Sequence, residues 1–228
     1  MSSIVLYNYF RSSTSYRVRL ALHHKGLAFE YKPINLLKSE QLTPEYKAIN
    51  PLGGVPTLVH DGKIIPESFA IIEYLDEVFP QTPLMPKDAY KRARIRQVCE
   101  VINSFMHPMA NLKTLKYLTS KHGYDQDQKD EWAQHWIYQG LEVLETTLKE
   151  FSGTYSFGDE ITMADLFLIP QLLTSQRYKA DITQFPTLVK INNNCLKLEA
   201  FKKAHPFNQM DTPEEFKNKK GPETGLFF

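Results

Sequence analysis

Three prolines, Pro80, Pro83 and Pro86, divide this chain into two stretches that fold by different rules. Proline lacks a backbone N–H and clashes with the preceding helical turn, so three at short intervals end a helix and pass the chain to a new unit. Ahead of them, strand-length apolar runs alternate with helical patterns. Ile4-Val5-Leu6-Tyr7 is a strand candidate, followed by a helix to Lys25 with Val18, Ala21 and Leu22 at helical spacing, Arg17, Arg19 and His23 between them, and Gly26 as a stop. Phe29 to Ile34 reads as a second strand, 37–44 as a polar segment, and Glu45 to Ile49 as a short helix. Val55-Pro56-Thr57-Leu58-Val59 is apolar and β-branched, and its proline, unable to donate to a ladder, suits an edge or the first residue of a strand. Asp61-Gly62 is a hairpin signal into Lys63 to Pro66, and Glu67-Ser68 opens a helix carrying Phe69, Ile72, Leu75 and Phe79 on one side. Behind the prolines strand signals vanish, and helical patterns cover 89–118, 128–151, 163–176 and 186–198. A length of 228 residues suits two domains of about 100 to 200 each. The expected fold class is α/β plus all-α.

Between the first strand and the first helix stand four hydroxyl residues, Ser12, Ser13, Thr14 and Ser15. A helix start carries unpaired N–H groups and partial positive charge, so it favours an anion, and hydroxyls there either cap the helix or donate to a bound anion. In a thioredoxin-like β-α-β unit this turn would carry a C-x-x-C pair, but here it holds no cysteine. If the site uses sulfur, the sulfur arrives on a ligand, and glutathione is the natural candidate. Capping alone explains the serines equally well at this point. Glu67-Ser68 repeats the same physics at a second helix start. Thr162-x-x-Asp165, ahead of Leu166, Phe167, Leu168 and Ile169, is a capping-box variant with Asp in place of Glu or Gln, a folding element rather than a catalytic pair.

Net charge is +1, with 27 basic and 26 acidic residues, so no bulk field draws nucleic acid or an anionic membrane, and a small molecule is the expected partner. The two cysteines, Cys99 and Cys195, fall inside helical patterns and read as buried free thiols. No metal site is expected. With no leader pattern and no window near 18 consecutive apolar residues, the expected location is a reducing cytoplasm. The segment from Phe207 to Phe228 is charged, lacks a clear period and ends apolar in Leu226-Phe227-Phe228, which leaves open disorder or a cover over an apolar groove.

The blocks FRSSTSYRVRLAL, NPLGGVPTL, ESFAIIEYLDE and GDEITMADLFLIPQ, in this order, resemble zeta-class glutathione transferases of the maleylacetoacetate isomerase type, and the similarity runs from residue 3 to about 213. The resemblance implies the glutathione transferase fold: a thioredoxin-like domain over 1–82, a linker over 83–88, an all-helical bundle over 89–206 and a tail over 207–228. It also implies an active site in the cleft between the domains, a homodimer, and a cis peptide bond before Pro56. Carried over position by position, Ser12 would stabilise the glutathione thiolate, with Ser13 as the second choice. Thr14 stands where many members carry a cysteine, so any role of that sulfur is absent here. Gln41, Val55 and Pro56 would hold the glycyl and cysteinyl parts, and Glu67 and Ser68 the γ-glutamyl end. His107, which replaces a frequent glutamine, and Asn111 would contact glutathione from the helical domain. Arg17 and Arg177 would hold a dicarboxylate substrate, with a surface arginine as the alternative for Arg17. The implied activity is glutathione-dependent cis-trans isomerisation of maleylacetoacetate to fumarylacetoacetate, in aromatic amino acid catabolism. The rivals are a conjugating or dehalogenating transferase for small electrophiles and a non-catalytic thiol-binding module.

Overall fold

The computed structural model describes residues 3–217, so the apolar end Leu226-Phe227-Phe228 lies outside the described residues. These residues form two compact units, one of 3–83 with 197–217 and one of 84–196.

The first unit begins with β1 (Ile4–Asn8), α1 (Ser13–His24) and β2 (Glu30–Pro33), continues through a 3-10 turn (Glu40–Leu42) and α2 (Pro44–Ile49), and closes with β3 (Thr57–His60), β4 (Lys63–Pro66) and α3 (Ser68–Val78). The strands lie in the order β2-β1-β3-β4, with β1 parallel to β2 and the other pairs antiparallel. Leu6 on β1 is opposite Tyr31 on one side and Leu58 on the other, so alternation buries Ile4, Leu6 and Asn8 on one face. Against the sheet α1 and α3 pack Val18, Leu20, Leu22, Ile71, Ile72 and Leu75, all fully buried. The sequence pattern suggested one apolar face for α1, yet Arg17 and Arg19 are also 0% exposed, so the helix is enclosed on nearly every side. At its end Lys25 donates to Asp76 (2.8 Å) and to the Phe79 and Thr82 carbonyls (3.0 and 2.7 Å), which meets the acceptors left where α3 stops.

The regular elements of the second unit are all helical. It comprises α4 (Ala89–Glu100), a π turn (Val101–Met106), α5 (His107–Ala110), α6 (Leu112–His122), α7 (Gln126–Phe151), α8 (Met163–Arg177) and α9 (Pro186–Cys195). The single helix expected over 89–118 is broken. Its register widens over Val101–Met106, and Asn111 adopts extended backbone (φ −81°, ψ 160°) to cap α6 through its side chain on the Thr114 N–H. Gly140 permits the close approach of the π turn, because a Cβ there would lie 2.3 Å from the Met106 side chain. At the start of α8 the Asp165 carboxylate accepts from the Thr162 N–H (2.8 Å), the Thr162 hydroxyl (3.0 Å) and the Ser156 N–H (2.8 Å), which is the folding role read from the sequence. Cys99 and Cys195 are buried thiols outside any disulfide, as expected.

The last elements, α10 (Glu199–Ala204) and α11 (Glu214–Lys217), return to the first unit. Residues 197–217 belong with the first unit because α10 packs on α1, where Arg19 donates to the Ala204 carbonyl at 3.0 Å, and because Phe207 and Phe216 stack beside Phe10. No helix among the described residues is long and apolar enough to cross a membrane.

His205, just after α10, is 1% exposed and sits against the Tyr16 and Phe207 rings, with its Nδ1 accepting from the Phe207 N–H. Burial, aided by the Arg19 charge, pushes its pKa down to about 3. Between about pH 6.5 and 3 the unfolded chain binds a proton there that the native chain does not, so stability is lost as pH falls through this window. His205→Asn keeps an acceptor for Phe207 and removes the titration. Its denaturant-unfolding free energy is expected to fall less steeply on acidification than that of the wild type, by up to about 1.4 kcal/mol per pH unit. Identical slopes would refute the assignment.

Candidate functional site

The hydroxyl turn sits where β1 hands the chain to α1. Ser12, with extended backbone (φ −69°, ψ 121°), is the N-cap: its Oγ accepts from the Ser15 N–H (3.1 Å) and its carbonyl from the Tyr16 N–H (2.9 Å). Its own N–H returns to the Tyr9 carbonyl at 3.1 Å. Thr14 Oγ1 donates to the Val55 carbonyl at 2.9 Å and lies 2.9 Å from Ser12 Oγ. A hydroxyl has one proton, so with Thr14 committed to Val55, Ser12 donates to Thr14. Ser13 is the first residue of α1, and Ser12, Ser13 and Thr14 are half-buried.

The chain to which Thr14 is tied contains a cis Val55-Pro56 bond. Behind it, the Tyr46 hydroxyl and Asn50 amide donate to the Gly54 carbonyl (2.6 and 3.1 Å), and Asn50 also reaches Thr57 Oγ1 (3.0 Å). Tyr46 and Asn50 were missed as site supports. Asn50 stands at the head of the block NPLGGVPTL, whose Gly-Gly-Val-Pro run needs polar groups to fix it. Gly53 has φ +64°, and a Cβ there would lie 2.9 Å from the Gln41 carbonyl, so glycine lets the two loops touch. The Gln41 side-chain oxygen is buried with no hydrogen-bond partner among the described residues, an acceptor awaiting a donor.

At the second helix start, Glu67 is exposed and held at φ +70°, ψ 120°, a conformation rare outside glycine that costs about 1 to 3 kcal/mol and recurs at binding sites. Ser68 is 2% exposed, and Arg17 Nη1 donates to its Oγ at 3.2 Å. The surface alternative for Arg17 therefore does not hold. Its guanidinium stands behind Ser68 and adds a full positive charge to the partial charge of the α3 start. One unit thus presents two anion-favouring helix starts, a cis-proline turn tied to the first of them, and a buried acceptor.

The remaining sequence-predicted residues lie in the helical unit. Arg177 ends α8, where it stacks on the Tyr178 ring and donates to its hydroxyl (2.7 Å), which in turn donates to the Ala110 carbonyl (2.9 Å). These bonds bring the end of α8 to Ala110, the residue before Asn111. The Asn111 side-chain oxygen is spent on capping α6, and His107 opens α5 in a half-buried position.

Family models described as the glutathione S-transferase N-terminal domain and C-terminal domain match residues 11–78 and 100–203. A maleylacetoacetate isomerase of Mus musculus is 43% identical over 215 residues, covering 93% of this chain and 97% of that protein. The holo structure of a bacterial maleyl pyruvate isomerase, a glutathione S-transferase of the zeta class, is similar with a TM-score of 0.90 at 37% identity, covering 92% of this chain and 100% of that one. A maleylacetoacetate isomerase of Anaeromyxobacter dehalogenans with glutathione in its active site gives a TM-score of 0.85 at 40% identity, covering 93% and 99%.

Both cysteines are 0% exposed, and burial raises the Cys195 thiol well above its ordinary range. Iodoacetamide applied to the folded protein is therefore expected to leave its intact mass unchanged. Thr14→Cys places a thiol in the first turn of α1, where the helix start favours the thiolate, and is expected to take up one adduct. An adduct on the folded wild type would contradict the site as described.

Proposed function

The chain belongs to the glutathione S-transferase family, in the zeta class of the maleylacetoacetate isomerase type, and from that premise we propose that it catalyses the glutathione-dependent cis-trans isomerisation of maleylacetoacetate to fumarylacetoacetate. The observation that carries this reading is the cysteine-free turn Ser12-Ser13-Thr14, tied to the cis Val55-Pro56 loop, which can hold a sulfur anion and supplies none. Bound glutathione supplies a thiolate that adds to the conjugated double bond, makes it a single bond free to rotate, and leaves again, so that it is a cofactor and not a consumed reagent.

The residues fit that group. An ordinary thiol has a pKa of about 8.5, and lowering it by about two units takes roughly 2.7 kcal/mol of selective stabilisation. A charge-assisted hydrogen bond from Ser12 or Ser13 and the α1 start supply this. Val55 offers its backbone, at the cis bond, to the cysteinyl part, and the buried Gln41 oxygen accepts from the glycyl amide. Ser68, with Arg17 behind it, takes the γ-glutamyl carboxylate, and Glu67 its ammonium. Arg17 is committed to that end, which leaves Arg177 as the anchor for a substrate carboxylate, while His107 and Asn111 keep the part in glutathione binding that the resemblance implies. The reading extends to a homodimer in the cytoplasm, where glutathione is kept reduced.

The test is turnover of maleylacetoacetate by the purified protein with and without glutathione, beside a chlorinated small acid. Isomerisation only with glutathione is expected. Turnover of the chlorinated acid alone would move the assignment to a dehalogenating or conjugating transferase, and no turnover of either would overturn it.

Two variants divide the site. Ser12→Ala is expected to raise the pKa of the bound thiol, read by thiolate absorbance, while Ser68→Ala weakens glutathione binding instead. An unmoved pKa in Ser12→Ala would transfer the role to Ser13. Arg177→Met is expected to raise the Michaelis constant for maleylacetoacetate by roughly ten- to a hundredfold, the loss of a charge-assisted bond, at nearly constant glutathione affinity. Arg177→Lys should recover only part, since a point charge lacks the bidentate fork. Unchanged constants in both would remove Arg177 from the site.

A further inference from the structure

We propose that Asp211 is a positioning residue for the catalytic turn, acting through the backbone amide of Phe10. The inference rests on the function proposed above in taking the Ser12 turn as catalytic. Asp211 lies 201 positions after Phe10 in sequence, in the segment between α10 and α11 that folds onto the first unit. One carboxylate oxygen accepts from the Phe10 N–H at 2.9 Å, and the other accepts from the Tyr31 hydroxyl. Tyr31 is on β2, so the carboxylate ties the turn to the sheet.

The rest of the turn is held as closely. The Phe10 carbonyl accepts from Arg19 Nη2 (2.9 Å). The Tyr9 carbonyl accepts from Arg19 Nη1 (3.3 Å) and from the Ser12 N–H (3.1 Å). The backbone of Phe10 is therefore clamped at its N–H by Asp211 and at its C=O by Arg19, two residues before the N-cap proposed to serve the thiolate. Phe10 is 2% exposed, so without the carboxylate its N–H is buried and unpaired, and the turn must rotate to find an acceptor. Rotation at Phe10 moves Ser12. A misplacement of about 1 Å is enough to cost a catalytic group much of its effect. A carboxylate suits the position better than a neutral acceptor because it also favours the charged form of the buried Arg19.

The test uses the full chain and three variants. Asp211→Ala removes both bonds, Asp211→Asn leaves one neutral acceptor, and Tyr31→Phe removes the tyrosine bond while leaving that to Phe10. In the ligand-free protein, hydrogen exchange at the Phe10 amide is expected to quicken at least about tenfold in Asp211→Ala, less in Asp211→Asn, and not in Tyr31→Phe. With glutathione bound, the thiol pKa is expected to rise by about one unit in Asp211→Ala, by less in Asp211→Asn, and not in Tyr31→Phe. If Asp211→Ala does not fold, Asp211→Asn decides both readings against the wild type. Unchanged Phe10 exchange, or faster exchange with an unmoved thiol pKa, overturns the proposal, as does an equal pKa rise in Tyr31→Phe. Failure of the wild type to bind glutathione would overturn the function instead, and the exchange measurement would still decide whether Asp211 holds the turn.

Discussion

The buried guanidinium of Arg19 is the interaction on which the first unit depends. It donates to the Asn8 side chain (2.9 Å) and to the carbonyls of Tyr9, Phe10 and Ala204, so one planar group joins the end of β1, the turn after it and the last turn of α10. Taking a cation out of water costs several kcal/mol, and only a group whose donors are nearly all matched can be kept there charged. Desolvation lowers the Arg19 pKa, while Tyr31, Tyr16 and Asp211 oppose that shift. The consequence is topological. Residues from opposite ends of the sequence form one core because the carbonyls that Arg19 needs are provided by both.

Arg17, two residues earlier on the same helix, places its charge against Ser68, so the start of α3 has a full charge behind it and the start of α1, at Ser12, has only the helix start and hydroxyls. Under the proposed function that asymmetry is physically sensible. A carboxylate is ionised at any physiological pH and can be bound by plain charge, whereas a thiol must be coaxed into ionising by groups that favour the anion selectively.

The sequence disclosed the strand-helix order, the break at the prolines and the hydroxyl turn, because each has a local cause: periodicity, a missing N–H, or a cap. It also disclosed the resemblance that assigned roles to residues such as Gln41, Val55 and Ser68. Burial of Arg17 and Arg19 was hidden because a helical pattern reads arginine as polar surface, and only the tertiary arrangement supplies the acceptors that reverse this. The YRVRLAL run carried a hint, since arginines at alternate positions within an apolar stretch leave a helix no clean polar face. The break of 89–118 at the π turn and Asn111 was hidden for a similar reason: a change in helical register leaves the apolar spacing almost unaltered. The docking of 197–217 on the first unit rests on Arg19, Asp211 and the Phe10, Phe207 and Phe216 rings, contacts too distant in sequence for any local pattern to reveal.

The hydroxyl of Thr14 gives the turn a defined proton order. The proton order runs from Ser12 to Thr14 and from Thr14 to the Val55 carbonyl, so in the resting arrangement the Ser12 proton is already occupied in a neutral hydrogen bond. A neutral thiol arriving at the site offers Ser12 an acceptor weaker than the one it has, and the relay stays as it is. A thiolate offers a charge-assisted bond roughly twice as strong, and Ser12 can turn to it while Thr14 keeps its hold on Val55. Under the proposed function, with Ser12 as the donor, the occupied relay is a threshold that only a charged sulfur exceeds. Thr14 needs no chemistry of its own to contribute; it needs a hydroxyl that can donate to one partner and accept from another at the same time, which a weakly hydrogen-bonding thiol does poorly.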